Sequence, residues 1–363
     1  MKRNKILAVI AAVTLSMSAF ASCGNSGDSS SSDSRAESSS ASDVENSLSA
    51  ADESSETEDN SSETSEDSQA EKENDGETSD ITPAMWTVTS PEGTKMTMLG
   101  SMHALGKEDY PLPDVITDAL DSADILAVEC DVSEANSLSY QTALMKEMVY
   151  DDGTTLKDNI SEEAYSALDS YLQTYGLNAE ALKTYKPWAV ANTVDNMPLL
   201  YTKLSADLGI DAYLIEQAKE KGKEIYEVES VDFQMDLIMN FSQEYYDLRF
   251  RSLVGETKDS QVNELTKLYE IWKSGDIEAF EELCESEEDV DSIELTDEEY
   301  AIIEDYNDQM LYDRNIGMEE AIKELLAEDK NVFYVVGAAH YISEGGIIDL
   351  LEKDGYTVGR IEY

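Results

Sequence analysis

Two histidines occur among the 363 residues, and both close the same short pattern. Met96-Thr97-Met98-Leu99 runs into Gly100-Ser101-Met102-His103, and Asn331-Val332-Phe333-Tyr334-Val335-Val336 runs into Gly337-Ala338-Ala339-His340. A glycine leaving an apolar run suits a tight turn or a close backbone approach. The histidine three places on is then presented from the strand's end. Neutral imidazoles are ligands for Zn, Mn, Co or Fe. Two from matching positions of a repeated unit can face one another across a cleft. Glu129 closes Asp124-Ile125-Leu126-Ala127-Val128, and Glu229 closes Lys223-Glu224-Ile225-Tyr226-Glu227-Val228. Burying an unpaired carboxylate is costly, so an acid at the end of each run implies a partner. Arg314, in Asp313-Arg314-Asn315, can pair with one of these acids or grip a substrate carboxylate with its fork. It can equally be a surface residue at a helix start. Two imidazoles and a carboxylate leave positions open on a metal, which can polarise a carbonyl and generate a hydroxide nucleophile. Asp211, in Gly209-Ile210-Asp211, precedes a helical stretch and reads as its cap rather than a catalytic group. The chain has no phosphate-binding Gly-Lys-Ser/Thr loop, no His-Glu-x-x-His and no Gly-x-Ser-x-Gly elbow.

The elements that must carry these residues follow one plan three times. A strand at 96–99 enters the first histidine turn, a loop with Pro111 and Pro113 follows, a helix spans 114–122, and a buried strand ends at Glu129. At the other end of the domain come a strand over 331–336, the second histidine turn, a helix over 345–353 and a closing strand over 355–362. A looser copy takes Gly209 through a helix at 212–221 into a strand ending at Glu229. Continuous apolar strands joined by helical crossovers predict an α/β fold, with a mostly parallel or mixed central sheet flanked by helices. Reactive groups of such sheets gather at the carboxyl ends of strands, where His103, Glu129, Glu229 and His340 fall. Apolar residues at helical spacing mark 137–150, 161–175, 179–201, 232–254, 260–274, 297–312 and 314–327. One domain over 81–363 with a large helical insertion at about 132–313 is the expected organisation.

The first 80 residues have a different character. Lys2, Arg3 and Lys5 precede the apolar run Ile6–Val13, the pattern of an export signal over 1–22. Phe20-Ala21-Ser22-Cys23 resembles a bacterial lipobox, which would lipidate Cys23 and anchor an outward-facing protein to the membrane. From 24 to 80 the chain carries 18 acids against two bases amid serine. So little apolar surface under so much like charge predicts a disordered tether, with a coil reach of about 40 Å. The formal net charge of −54 excludes nucleic acid as a partner, for want of a basic surface. Cys130 and Cys284 are the other two cysteines, and an oxidising compartment would permit a bridge between them.

In their order along the chain these pieces resemble the TraB/GumN family, which includes pheromone-shutdown proteins and the TIKI metalloproteases. The matching residues are Trp86 before the first strand, Leu99-Gly100-Ser101-Met102-His103, Tyr110-Pro111-Leu112-Pro113 and Leu126-Ala127-Val128-Glu129. Lys186-Pro187-Trp188, Gly209-Ile210-Asp211, Val228-Glu229-Ser230 with Gln234, Asp313-Arg314-Asn315 and Val336-Gly337-Ala338-Ala339-His340 complete the set. The resemblance implies a metal-dependent hydrolase of the peptidase type, with His103, His340 and Glu129 near a divalent ion (Mn, Co or Zn) and Glu229 and Arg314 as further catalytic residues. Its partners would be a peptide or other small substrate and, through the anchor, a membrane. The superfamily also resembles haem-binding lipoproteins and esterases, so a non-catalytic surface lipoprotein that captures a peptide signal or haem is the alternative reading. Oligomeric state has no signature in the sequence.

Overall fold

The computed structural model describes residues 78–285, 293–328 and 330–363. The export signal, Cys23 and nearly all of the acidic tether lie outside the described residues.

Six strands form one mixed sheet. They are β1 (Met85–Thr89), β2 (Lys95–Ser101), β3 (Ile125–Val128), β4 (Glu224–Glu227), β5 (Val332–Gly337) and β6 (Thr357–Arg360). Their order across the sheet is β4-β3-β5-β2-β1-β6. The four strands from β4 to β2 run parallel, while β1 and β6 run antiparallel to their neighbours. The two histidine-bearing strands, β2 and β5, are therefore adjacent, and their turns leave the same end of the sheet.

Side-chain alternation on the central strands divides the core in two. Leu99, Leu126, Val128, Phe333 and Val335 face the helices of the middle of the chain, while Met98, Ile125, Ala127, Tyr334 and Val336 face the helices Asp313–Leu326 and Ile347–Lys353. Burial on both faces explains the unbroken apolar runs of β3 and β5. Each such Leu, Ile or Phe stabilises the fold by about 1.5–3 kcal/mol. Trp86 belongs to β1, which the sequence reading left outside the sheet; its ring stacks on Tyr341 with centroids 4.7 Å apart.

The expected helix at 114–122 is found as Asp114–Ser122. Two longer expectations break into pieces. The stretch 179–201 divides at Pro187 and Pro198, each of which starts a new turn because proline cannot continue the preceding hydrogen-bond ladder. The stretch 232–254 divides into Val231–Met239 and Gln243–Arg251, where Ser242 caps the second helix through the Tyr245 N–H. The strand expected to end at Glu229 is found as β4, which joins the main sheet beside β3 and divides the inserted helices into two groups. Asp297–Asn307 passes into a π-turn, Asp308–Tyr312, directly before the helix that carries Arg314. Cys130 and Cys284 are buried and stay as thiols. Among the described residues no helix is long and apolar enough to cross a membrane.

Candidate functional site

The two Gly-x-x-His turns press against one another. A Cβ on Gly100 would stand 3.1 Å from both Cα and Cβ of Ala338, so glycine lets the two turns approach this closely without displacing either. Gly337 ends β5, and its N–H donates to Glu129 Oε1 at 2.6 Å. That bond draws the Glu129 carboxylate across from the end of β3 to the second turn.

His340 is buried in this junction. Its Nδ1 lies 2.6 Å from Asn315 Oδ1, while Asn315 Nδ2 donates to the Gly345 carbonyl at 3.0 Å. The amide is thereby oriented with its oxygen toward the imidazole, so Nδ1 carries the proton. Burial first, and then the Arg314 guanidinium, depress the His340 pKa to about 3. The ring is neutral, and its Nε2 lone pair stands 3.7 Å from Glu129 Oε1.

His103 has a different environment. The structure corrects the reading of Asp211: the helix Ile210–Glu220 has Gly209 at its N-cap, with no side-chain cap, and the Asp211 carboxylate goes to His103 Nδ1 at 2.8 Å. Burial alone would lower the His103 pKa, but the Asp211 carboxylate outweighs it and holds it up to about 9. Gly209 is more tightly constrained than Gly100, since a Cβ there would meet the His103 carbonyl oxygen at 2.4 Å.

A buried ion network lies behind Glu129. Arg314 Nε and Nη2 donate to the two oxygens of Glu229 at 2.8 and 2.9 Å, and Nη2 also donates to Glu129 Oε2 at 2.9 Å. Its Nη1 donates to the Met310 carbonyl within the π-turn. Gln234 Nε2 bridges the same two carboxylate oxygens, at 3.0 Å to Glu129 and 2.8 Å to Glu229, and the Cys130 thiol donates to Gln234 Oε1 at 3.4 Å. The backbone supports the pairing, because the Glu229 N–H donates to the Glu129 carbonyl at 2.7 Å and so extends the β3–β4 ladder. Burial alone would raise the Glu129 pKa, but Arg314, with the two imidazoles and the Gly337 N–H, brings it down to about 2. Of the alternatives open for Arg314, the structure selects the buried ion pair over the surface position.

Two open spaces meet this network. A cleft of about 160 Å³ is lined by His103, Glu129, Asp211, Gln234 and Asp207, among others. A groove on the other side contains Glu229 and Arg314 with Phe233, Leu237 and Met318. The structure thus gathers His103, His340, Glu129, Glu229 and Arg314 at one end of the sheet, and adds Asp211, Asn315 and Gln234. Asn315 and Gln234 stood in motifs of the sequence without an assigned role. A buried amide beside a charged residue, as in Asp313-Arg314-Asn315, was the available signal.

The donor chemistry can be compared with what a divalent ion requires. Each imidazole has its Nδ1 held by an oxygen, the outer-shell arrangement that presents Nε2 to a metal. His340 Nε2 and Glu129 Oε1 are two lone-pair atoms facing one another, a repulsive contact that a cation between them would relieve. Among the described residues no three His, Cys, Asp or Glu side chains stand together as a closed ligand group. The residues fit a metal in type and orientation, as an open pair with His103 alongside.

A mixed α/β sheet with paired Gly-x-x-His turns over a buried carboxylate–guanidinium network defines the class of protein. The family model of the TraB/PrgY/gumN family matches residues 84–360, and the chain belongs to that family. It is 26% identical over 152 residues to the uncharacterized protein YbaP of Escherichia coli (strain K12), covering 42% of this chain and 54% of that protein. The chain therefore spans about half the length of that relative. It is 22% identical over 320 residues to the Homo sapiens protein named metalloprotease TIKI1, covering 78% of this chain and 62% of that one. A metalloprotease TIKI homolog of Amphimedon queenslandica is 36% identical over 73 residues, 18% of this chain and 14% of the relative. No solved structure matches the chain.

Proposed function

We propose that this protein is a metal-dependent hydrolase of the peptidase type, held outside the cell by a lipid on Cys23. The observation that carries the reading is the His340 Nε2–Glu129 Oε1 pair, two lone-pair atoms 3.7 Å apart, with the imidazole proton fixed on the far nitrogen by Asn315. His340, Glu129 and His103 would hold the ion. When bound, a divalent metal supplies a polarised carbonyl and an activated water at neutral pH. Asp211 holds the His103 Nδ1–H and orients the ring, so that Nε2 would turn to an ion once the ring's second proton has left. Arg314 and Gln234 hold the Glu129 carboxylate in place with its charge intact, and Glu229 neutralises and orients Arg314. The distant likeness to proteins named metalloproteases supports the hydrolase class, and the lipobox-like segment supports the anchor.

Haem capture fits less well, because a cleft of about 160 Å³ falls below the roughly 300–1,000 Å³ of pockets for ligands of drug size and above. Capture of a peptide without cleavage is the second reading, favoured by the open form of the ligand group. Incubation with a mixed peptide library, with manganese, cobalt or zinc supplied and then removed by chelator, tests the proposal. The expected result is cleavage that stops with chelation and is absent from Glu129→Gln. Peptides bound but left intact under every metal would establish the second reading instead.

A further inference from the structure

The groove on the other side of the ion network is larger than the cleft. About 450 Å³ lies open between the helices Val231–Met239 and Asp313–Leu326, against about 160 Å³ for the cleft. That volume falls within the roughly 300–1,000 Å³ of small-molecule pockets. The walls are largely carbon. Phe233 and Leu237 stand one turn apart on the first helix, Met318 comes from the second, and Val228 follows the end of β4. Phe233 is 47% exposed, so the fold leaves an aromatic ring uncovered here. Single exposed apolar residues are ordinary on a protein surface, but this one belongs to a concave apolar wall.

Two further features point to an occupant. Gly317 lies in the interior of its helix, where glycine is less favourable than alanine or leucine. A Cβ there would meet nothing within 4 Å, so no neighbour in the chain requires the missing side chain. Its absence keeps the groove open. The buried acceptor of the groove is the Glu229 carboxylate, whose side chain is 9% exposed. Its Oε2 accepts from Arg314 Nη2 and Gln234 Nε2, while among the described residues Oε1 accepts only the Arg314 Nε–H. A carboxylate oxygen has about two lone-pair sites, so Oε1 keeps one to offer. Arg314 is already committed, with four of its N–H groups bonded to Glu229, Glu129 and the Met310 carbonyl. A buried acceptor with an open lone pair, set among apolar walls, is complemented by a donor on an apolar body.

We infer that this groove is a second binding site, for a small molecule with an aromatic or branched aliphatic body that ends in a hydrogen-bond donor, a hydroxyl or an ammonium. The body lies over Gly317 against Phe233, Leu237 and Met318, and the donor reaches Glu229 Oε1. A carboxylate ligand is refused, because it brings acceptors to an acceptor and like charge to Glu229. The inference stands apart from the hydrolase reading. The two sites share a floor nonetheless. Arg314 and Gln234 each bridge Glu229 to Glu129, so a ligand in the groove and one in the cleft draw on one set of hydrogen bonds.

The test is saturation-transfer NMR titration of the full chain with probes built on one tolyl ring: para-cresol, para-methylbenzylamine, para-methylanisole and para-toluate. Dissociation constants of about 1 mM are expected for donor fragments this small. The better of the cresol and the amine is expected to bind about tenfold more tightly than para-methylanisole, which keeps the body and loses the donor. A lead for the cresol assigns a hydroxyl ligand, and a lead for the amine assigns an ammonium. para-Toluate is expected to bind weakest. Gly317→Leu is expected to weaken the leading probe about tenfold or more, with an unchanged or higher melting temperature. Phe233→Ala is expected to weaken it about two- to tenfold, and it decides the matter if Gly317→Leu melts lower. Ala206→Leu, in the wall of the cleft, is expected to leave it unchanged. No binding of either donor probe, equal binding of para-methylanisole, full affinity in Phe233→Ala or in a folded Gly317→Leu, or an equal loss in Ala206→Leu would overturn the inference.

Discussion

Replacing Arg314 with leucine removes the guanidinium that bonds both Glu129 and Glu229. The side chains of Arg314, Glu129 and Glu229 are 5%, 10% and 9% exposed, so the lost contacts are poorly replaced by water. The carboxylates would keep the Gln234 amide and the Gly337 N–H, with the His103 imidazolium as the cation left near Glu129. Breaking one partner of a buried ion pair costs about 3–5 kcal/mol. Linkage gives a second route to the magnitude. Glu129 is held at about 2 against an ordinary 4.5, which corresponds to stabilisation on the order of 3 kcal/mol at neutral pH. The sign is that of a depressed carboxyl: the stability is fully present above the unfolded value and is lost as pH falls through the folded one. In Arg314→Leu the buried carboxyl takes up a proton instead. The gap between wild type and variant should therefore be widest near neutral pH and close below about pH 3. Urea denaturation of chelator-treated protein across that range measures it. Adding Glu229→Gln to Arg314→Leu should restore part of the loss, since only one charge is then left unpaired. A loss under about 1 kcal/mol at neutral pH, or one independent of pH, would refute the network as described.

Three further outcomes are expected. Asp211→Asn should return the His103 imidazole from about 9 toward its ordinary value, read from its proton resonance in metal-free protein; wild type should lose stability as pH rises from about 6.5 through 9, and the variant should not. Gly209→Ala should cost about 1–3 kcal/mol in thermal or urea unfolding, because its methyl meets the His103 carbonyl and the loop must shift; unchanged stability would show that the loop yields freely. Cys23→Ser should abolish incorporation of a fatty-acid analogue in cells, and equal labelling of both proteins would remove the anchor.

Much of this site was legible before any coordinates. His103 and His340 stand out because histidine is rare here and both end the same pattern, and Glu129 because an acid so rarely closes an apolar run. The repeated plan predicted a mostly parallel or mixed sheet with the histidines at strand ends, while the pairing of β2 with β5, across the 237 positions that separate the two histidines, is the structure's own finding. The misreadings have physical causes. Asp211 sits at a helix start, where a local cap is the ordinary explanation, and its real partner lies 108 positions away. Periodicity reports that a face is buried but not what covers it, so Gln234 and Asn315 gained their roles only when distant elements met. Trp86 lies in a five-residue strand whose pairing depends on both β2 and the last strand. The long helical stretches ran too far because apolar spacing continues through Pro187 and Pro198 while the hydrogen-bond ladder does not.

The central claim is that His103, His340 and Glu129 hold one divalent ion. Elemental analysis of the full chain, purified without added metal and again after equilibration with manganese, cobalt or zinc, tests it most directly. The expected result is one ion per chain in wild type, lost in His103→Ala and in His340→Ala while both variants keep a folded circular-dichroism spectrum. Wild-type protein that binds none of the three metals, or histidine variants that retain a full equivalent, would contradict it.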